Sequence, residues 1–336
     1  MISLIVRRLL QLPIILLVIY TLTLTLAWAI PGNPLDNDEG RRPPAAVVER
    51  MQAQYNLDSF GKFYFSYLSS ATGWKYLSDR LDGTIAAERA RAAELGIAPR
   101  PRRVFDLGPS LNYEDWSVNE ILAFALPVSA TLGIFAILIA TVVGVAAGVI
   151  GAIKPNSIVD LCTLVIALIG ISLPSFVTGT ILLLLFCVWI PLFPVAGWGT
   201  LDRLIQPSIA LSLPFAAYIA RLTRMGMIET LHADYIRTAR AKGVREQQVI
   251  LKHALKNAFL PVLSFLGPAT ALAMTGSFIV ERVFTIPGMG EHFVNAVQTK
   301  DLFLIIGVVL VFATLLILFN LAVDLLYHWV DPRIEQ

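Results

Sequence analysis

The chain has 336 residues, of which 56% are hydrophobic and only 15% are charged, and its mean hydropathy is +0.71. Because a soluble domain carries about 25% charged residues, this composition excludes an ordinary soluble protein and indicates an all-α polytopic membrane protein. The net charge of +2 is too small to indicate a nucleic-acid partner, since the basic residues cluster in predicted loops.

The first predicted element is a transmembrane helix within residues 1–30. Arg7 and Arg8 precede an apolar run from Leu9 to Ile30, and about 20 apolar residues suffice to cross a bilayer. A secretory signal peptide is the alternative, but its apolar region is usually only about 7–15 residues long. The length of the run favours an uncleaved helix with its N-terminus in the cytoplasm.

Residues 31–123 form a long hydrophilic segment, which lies outside the cytoplasm if the first helix runs outward. Between residues 35 and 120 it carries eleven Lys and Arg residues. Long translocated segments are exempt from the positive-inside rule, so this count does not oppose the assignment. Helices are predicted at Ala45–Tyr55 and Ile85–Leu95.

Residues 124–336 are predicted to form a core of five further membrane helices. The second span, Phe124–Ile153, contains a GxxxG spacing at Gly144 and Gly148, which lets helix backbones approach closely. The third span, Val159–Ile190, contains Pro174, which is expected to kink it.

Two cysteines, Cys162 and Cys187, fall within the third predicted span. A straight helix would hold them about 37 Å apart, so they are expected to remain unpaired.

The fourth span, Leu204–Ala220, is the least apolar, because prolines and hydroxyl residues interrupt it. Polar and broken membrane helices usually face a bundle interior or an aqueous path. A purely structural role, with hydroxyls bonded to their own backbone, is the alternative at each position. The candidate pathway-lining residues are Ser172, Ser175, Ser208, Ser212 and Tyr218.

A polar loop at residues 221–259 separates the fourth and fifth spans. From Arg221 to Ala258 it carries eight Lys and Arg residues against three acids. Apolar residues recur at helical spacing on both sides of Gly243, where a left-handed helix cap is expected. This pattern predicts two short amphipathic helices that offer a docking surface; a plain topogenic loop is the alternative.

The fifth and sixth spans are predicted at about Leu260–Val280 and Leu302–Val330. Six spans would return both termini to the cytoplasm, in agreement with a cytoplasmic position for residues 221–259. Asp324, inside the sixth span, suggests either a proton relay or a structural pair with His328, four residues further on.

The polar loop resembles the cytoplasmic EAA-type loop of bacterial ABC importer permeases of the oligopeptide/dipeptide/nickel branch. The glutamate that gives the motif its name is absent, with Arg237 or Thr238 about where it would be, as is usual in the peptide branch. The resemblance implies that this loop docks into a groove on an ATPase subunit. The implied coupling residues are Tyr235, Arg237, Thr238, Ala239, Arg240, Lys242, Gly243, His253 and Pro261.

Other segments extend the resemblance over most of the chain and place it nearest the B-type subunits of oligopeptide systems. In the family, a Tyr-Leu pair is followed within a few residues by Asp-Leu-Gly. The spacing between these two motifs is longer here, so a stretch around residues 69–105 looks inserted. A solvated decoration and a role in receptor docking both remain open for it. The matching segments are Pro31–Pro34, Asp106–Ser110, the stretch that begins at Ser117, Glu281–Gly290 and Asp331–Ile334.

The resemblance implies a type I ABC importer permease with six transmembrane helices in the bacterial inner membrane. It implies a second homologous permease, two ATPase subunits that bind ATP and Mg, an extracytoplasmic peptide-binding protein and surrounding lipid as partners. The sequence has no phosphate-binding GxxxxGK[ST] loop, so no enzyme activity, cofactor or metal is expected in this chain. Alternatives are a nickel or other small-solute importer of the same branch, a proton-coupled transporter that depends on Asp324, and a membrane-anchored receptor.

Overall fold

The protein is described from a computed structural model that covers residues 2–31, 45–94, 102–113, 116–275 and 278–330. The chain divides into two compact units. The first unit comprises Met1–Ile14, Ala125–Glu291 and Phe312–Gln336, and the second comprises Ile15–Phe124 and His292–Val311.

Helices account for most of the described residues. The helices before residue 118 are α1 (Ile2–Ala29), α2 (Ala45–Tyr55), α3 (Phe60–Ala71), α4 (Trp74–Leu81) and α5 (Thr84–Glu94). The helices that follow, up to residue 241, are α6 (Val118–Ile153), α7 (Ile158–Ser172), α8 (Ser175–Leu183), α9 (Leu201–Leu231) and α10 (Asp234–Ala241). The remaining helices are α11 (Glu246–Gln248), α12 (Leu255–Ala258), α13 (Leu260–Met274), α14 (Phe278–Val283), α15 (Met289–Thr299) and α16 (Leu302–Val330).

Two π-helical segments extend these helices. Leu184–Trp189 continues α8, and Val249–Ala254 joins α11 to α12.

Three of the described helices are long and apolar enough to cross a membrane, namely α1, α6 and α16. Two bent pairs bring the number of possible spans to five: α7 with α8, at 101°, and the segment Glu246–Ala258 with α13, at 55°. The predicted kink at Pro174 is therefore confirmed, and the bend separates α7 from α8. The predicted fourth span lies within α9, which does not meet the same test among the described residues.

Several predicted boundaries were wrong. The second span begins at Val118 instead of Phe124 because Ser117 and Glu120 form a capping box. The Glu120 carboxylate accepts a hydrogen bond from the Ser117 backbone N–H at 3.0 Å, and the Glu120 N–H donates to Ser117 Oγ at 3.3 Å. The fifth span, predicted to reach Val280, ends at Met274.

Helices also occupy stretches that the sequence did not predict to be helical. The structure adds α3, α4 and α15, and α9 continues to Leu231, so the first part of the predicted polar loop, from Arg221 onward, is helical. Of the resemblance segments, Gly32–Pro34 and Asp331–Ile334 lie outside the described residues.

The first unit contains an apolar core in which α6, α9, α13 and α14 meet. Its buried members are Val128, Leu132, Ala136, Ile137, Leu204, Ala210, Leu211, Ala269, Ala273, Val280, Phe284 and Ile286. Close backbone approach holds these helices together: a Cβ on Gly133 would lie 2.5 Å from the Ala273 carbonyl carbon. Any larger residue at position 133 would therefore push α13 away.

The predicted GxxxG surface of α6 packs against α9. A Cβ on Gly144 would lie 2.6 Å from the Ala216 carbonyl oxygen, and one on Gly148 would lie 2.5 Å from Thr223 Cβ. Small residues thus let two helices touch where lipid offers no hydrophobic drive.

Candidate functional site

The polar loop folds into a helical hairpin, here called the coupling hairpin and defined as residues 232–259. Its first arm is α10, which begins after the turn at His232 and Ala233. Asp234 lies in the first turn and Arg240 in the last, so both charges suit the helix dipole. The second arm consists of α11, the π-helical segment and α12.

Gly243 forms the turn between the two arms. Its φ is +75°, and nothing lies within 4 Å of where a Cβ would be. The Gly243 N–H donates to the Arg240 carbonyl at 3.0 Å, and the Val244 N–H donates to the Ala239 carbonyl at 3.3 Å. These two bonds make a Schellman cap, so the predicted left-handed cap is confirmed.

An ion pair ties the arms together beside this cap. The Arg240 guanidinium donates to the two Glu246 carboxylate oxygens at 2.6 and 3.1 Å. Hydrogen bonding to Arg240 lowers the pKa of Glu246, and the same contact raises the pKa of Arg240. Both side chains are exposed, so the pair fixes geometry more than it stabilises the fold.

The apolar face of the hairpin packs on the ends of α6 and α9. The predicted helical spacing is confirmed, because the apolar residues at that spacing are buried or partly buried. A Cβ on Gly226 of α9 would lie 2.7 Å from the Ala258 carbonyl oxygen, which shows how closely the second arm approaches α9. The buried cluster is Ala152, Met227, Ile236, Ala239, Val249, Ala254 and Ala258.

Most of the predicted coupling residues lie on the opposite face of the hairpin. Tyr235 is 44% exposed and its hydroxyl accepts a hydrogen bond from Asn257 Nδ2 at 2.7 Å. Arg237, Thr238, Arg240, Lys242 and Gly243 are exposed, His253 is half-buried, and Pro261 is exposed in the first turn of α13. Ala239 is buried in the cluster beneath the hairpin.

The predicted pathway residues fall into two groups. Ser172 is exposed and Ser175 is half-buried, on either side of the break between α7 and α8. Tyr218 is 42% exposed, and its ring centroid lies 4.4 Å from that of Phe265. Ser208 and Ser212, by contrast, are buried within the chain. Ser172, Ser175 and Tyr218 are therefore at least partly accessible at the surface of the chain, whereas Ser208 and Ser212 are not.

An ion pair that the sequence did not predict joins α7 to α9. Arg224 donates to the two carboxylate oxygens of Asp160 at 2.5 and 2.7 Å, and Asp160 is only 1% exposed. The Asn156 N–H donates to the same carboxylate at 2.8 Å, and Ser157 caps the helix. The pair therefore fixes the α6–α7 turn to the part of α9 that leads into the coupling hairpin.

A buried carboxylate also organises the Glu281–Gly290 segment. Glu281 accepts a hydrogen bond from Ser129 Oγ at 2.7 Å and one from the Glu291 N–H at 3.2 Å, while the Met289 N–H donates to Ser129 Oγ at 2.7 Å. A Cβ on Gly288 would lie 2.4 Å from the Glu281 carboxyl carbon. Burial raises the pKa of Glu281. The buried carboxylate of Glu281 thus leaves no room for a side chain at position 288, which explains the glycine there.

Asp301 plays the same part for the Asp106–Ser110 segment in the second unit. It is fully buried and accepts hydrogen bonds from Ser110 Oγ at 2.5 Å and from the Leu111 N–H at 2.8 Å. Burial raises the pKa of Asp301. Gly108 has a φ of +85°, and the Phe303 ring would lie only 2.3 Å from a Cβ there.

Asp324, the acid of the last helix, contacts a residue that the sequence did not predict. Arg8 lies 2.8 Å from its carboxylate, although the two groups are not aligned as a hydrogen bond. The side chain of His328, its predicted partner, lies outside the described residues.

The sequence resembles known membrane transport proteins along its length. Residues 140–336 match the family described as binding-protein-dependent transport system inner membrane component. The oligopeptide transport system permease protein OppB of Escherichia coli K12 is 38% identical over 338 residues, with 100% of both chains covered. The dipeptide transport system permease protein DppB of Bacillus subtilis is 38% identical over 321 residues, covering 95% of this chain and 94% of that protein.

Proposed function

The chain belongs to the family of binding-protein-dependent transport system inner membrane components, and from this premise we propose that it is a permease subunit of an ATP-driven importer of peptides. The observation that carries the proposal is the coupling hairpin, with its buried apolar face and an exposed face that includes Tyr235, Arg237 and Lys242. A plain topogenic loop needs charge, but it needs neither amphipathic periodicity nor a central glycine.

The hairpin is proposed to dock on an ATPase subunit and to move with it. Its second arm meets α13 at 55° next to Pro261, and Ala258 lies against Gly226 of α9. A push on the hairpin would therefore reach both helices at once. The Asp160–Arg224 pair extends the same rigid connection to α7. Such rigid-body transmission is how domain closure changes access to a site in a membrane.

The complete transporter is proposed to contain a second homologous permease, two ATPase subunits that bind ATP and Mg, and an extracytoplasmic peptide-binding protein. In this arrangement the chain itself performs transport and no catalysis. The outward-facing Ser172, Ser175 and Tyr218 are proposed to line the pathway with the second permease. The chain is proposed to lie in the bacterial cytoplasmic membrane with both termini in the cytoplasm.

The names of the relatives favour a peptide as the substrate over nickel or another small solute. A proton-coupled mechanism would need a carboxyl group free to exchange protons inside the membrane. Asp324 is instead held 2.8 Å from Arg8, an arrangement that favours a fixed structural charge.

The test is to purify the tagged chain in mild detergent and to assay the ATPase activity of what co-purifies. We expect a second permease and ATPase subunits to co-elute, and hydrolysis to rise when peptide-loaded binding protein is added. A chain that elutes without ATPase activity would contradict the proposal. Addition of nickel in place of peptide is the control for the substrate class.

A further inference from the structure

Helix α4 in the second unit exposes its apolar side. Trp74, Leu77 and Leu81 are spaced at intervals that place them on one helix face, and they are 69%, 47% and 77% exposed. An eight-residue helix of a water-facing loop would be expected to turn such a face toward the protein.

The part of α4 that contacts the protein is polar instead. Asp79, on the other side of the helix, is held by Arg102 at 2.7 Å and is only 21% exposed. Arg102 also donates to Glu88 of α5 at 2.6 Å, so one guanidinium joins α4 to α5. Helix α4 is thus oriented with Asp79 turned toward Arg102 and its large apolar groups outward, while Lys75 and Arg80 remain exposed.

The preceding helix brings α4 alongside a candidate membrane span. At the start of α3, the Phe60 ring lies 5.7 Å from that of Trp28 near the end of α1. Further along α3, the Tyr64 hydroxyl lies 2.9 Å from Thr21 Oγ1, and the Tyr67 ring lies 5.6 Å from that of Tyr20. Helix α3 therefore runs back along α1 for about 12 Å, at 1.5 Å per residue.

This contact places the end of α3 beside the apolar stretch Val6–Ala29 and not above it. Leu22 and Leu26 of that stretch are 60% and 70% exposed, and Phe65 of α3 is 70% exposed. The turn at Thr72 and Gly73 then leads directly into α4.

Two more apolar residues widen the exposed surface at the start of α4. A Cβ on Gly73 would lie 3.2 Å from Val104 Cγ1 and 3.7 Å from the Phe105 ring. Val104 and Phe105 are 48% and 63% exposed. The segment that returns beside α4 therefore adds exposed apolar side chains at the start of this helix.

We propose that α4 is an in-plane membrane anchor, which inserts Trp74, Leu77 and Leu81 into the interface of the lipid leaflet beside the C-terminal half of α1. The partner is the bilayer itself, because α3, which leads directly into α4, packs along a candidate span whose side chains Leu22 and Leu26 are exposed. Tryptophan favours the level of the headgroups, because its ring is partly apolar and partly polar. Lys75, on the other face, remains at the water side, as is typical of interfacial helices. The inference rests on the membrane location of the chain and does not depend on its substrate.

The experiment measures the surroundings of spin labels on α4 in the assembled transporter in lipid nanodiscs. Cys162 and Cys187 are first replaced by alanine, and uptake is checked. A nitroxide is then attached at Leu77→Cys or Leu81→Cys, with Lys75→Cys as the matched control on the other face. Collision rates with oxygen, which concentrates in lipid, and with a water-soluble nickel chelate are compared.

We expect labels at positions 77 and 81 to collide several-fold more with oxygen than with the nickel chelate, and the label at position 75 to show the reverse. Frequent collision with the chelate at positions 77 and 81 would place this face in water and overturn the proposal. Protection from both reagents would show that a protein covers the face, which overturns it equally. Loaded binding protein should leave the collision rates unchanged; protection that appears only on its addition would identify α4 as a receptor contact instead.

Discussion

Replacement of Gly243 should loosen the coupling hairpin without disturbing its neighbours. The residue has a φ of +75°, and a Cβ there would meet nothing within 4 Å. Gly243→Ala therefore costs only the left-handed conformation, about 1–2 kcal/mol. Gly243→Pro also removes the N–H that donates to the Arg240 carbonyl at 3.0 Å and forces a negative φ, which together cost about 3 kcal/mol or more.

Gly243→Asn completes this series, because asparagine tolerates the left-handed region better than alanine does. The assay is peptide uptake and ATP hydrolysis by the purified transporter in proteoliposomes. We expect more ATP to be hydrolysed per peptide in the order Asn, Ala, Pro, with membrane insertion unchanged. Gly61→Ala is the control, because Gly61 lies within α3 and also has open space around it. Wild-type coupling in Gly243→Pro would refute the reasoning.

Three other substitutions test the remaining contacts. Asp160→Asn should destabilise the first unit by about 3–5 kcal/mol, because it leaves the charge of Arg224 uncompensated in a largely buried position, and a lower Tm in detergent would show this. Glu281→Gln should flatten the pH dependence of Tm. Because burial raises the pKa of Glu281, its contribution to stability is complete below pH 4.5 and is lost as the pH rises through the folded pKa. Asp324→Asn should retain ATP-driven uptake that is insensitive to a protonophore, because Asp324 is paired with Arg8.

For each of these substitutions, one outcome would contradict the prediction. Asp58→Asn serves as the control for Asp160→Asn, because it breaks only an exposed pair with Lys62. Equal losses of Tm in the two variants would show that burial of Asp160 adds nothing. A Tm that falls with rising pH just as steeply in Glu281→Gln as in the unmodified protein would remove Glu281 as the cause. Loss of all uptake in a folded Asp324→Asn variant would revive proton coupling.

The sequence predicted the coupling hairpin well because its signals are local. The apolar residues recur at helical spacing, and a single glycine marks the cap, so both arms and the turn at Gly243 follow from neighbours in the chain. The bounds of α16, Leu302–Val330, agree with the prediction for the same reason.

What the sequence could not predict depends on contacts between distant residues. Asp160 and Arg224 are 64 positions apart, and neither lies in a pattern that points to the other. Glu281 belongs to a recognisable segment, but its partner Ser129 is 152 positions away. The start of α6 at Val118 did have a local signal, the spacing of Ser117 and Glu120, which the apolar pattern obscured.

Helix α4 was missed for a different reason. Half of its eight residues are polar or charged, and its apolar residues are too few to stand out in a long hydrophilic segment. Only their exposure, together with the position of α3 along α1, shows that Trp74 and Leu81 form a surface.

The most direct test of the account is uptake of a labelled peptide by the purified transporter in proteoliposomes, with peptide-loaded binding protein on one side and ATP on the other. We predict accumulation that requires hydrolysable ATP and is abolished by a non-hydrolysable analogue. The accumulation should persist without a proton gradient. Uptake that follows an imposed proton gradient without ATP would contradict the assignment of this chain as an ATP-coupled permease.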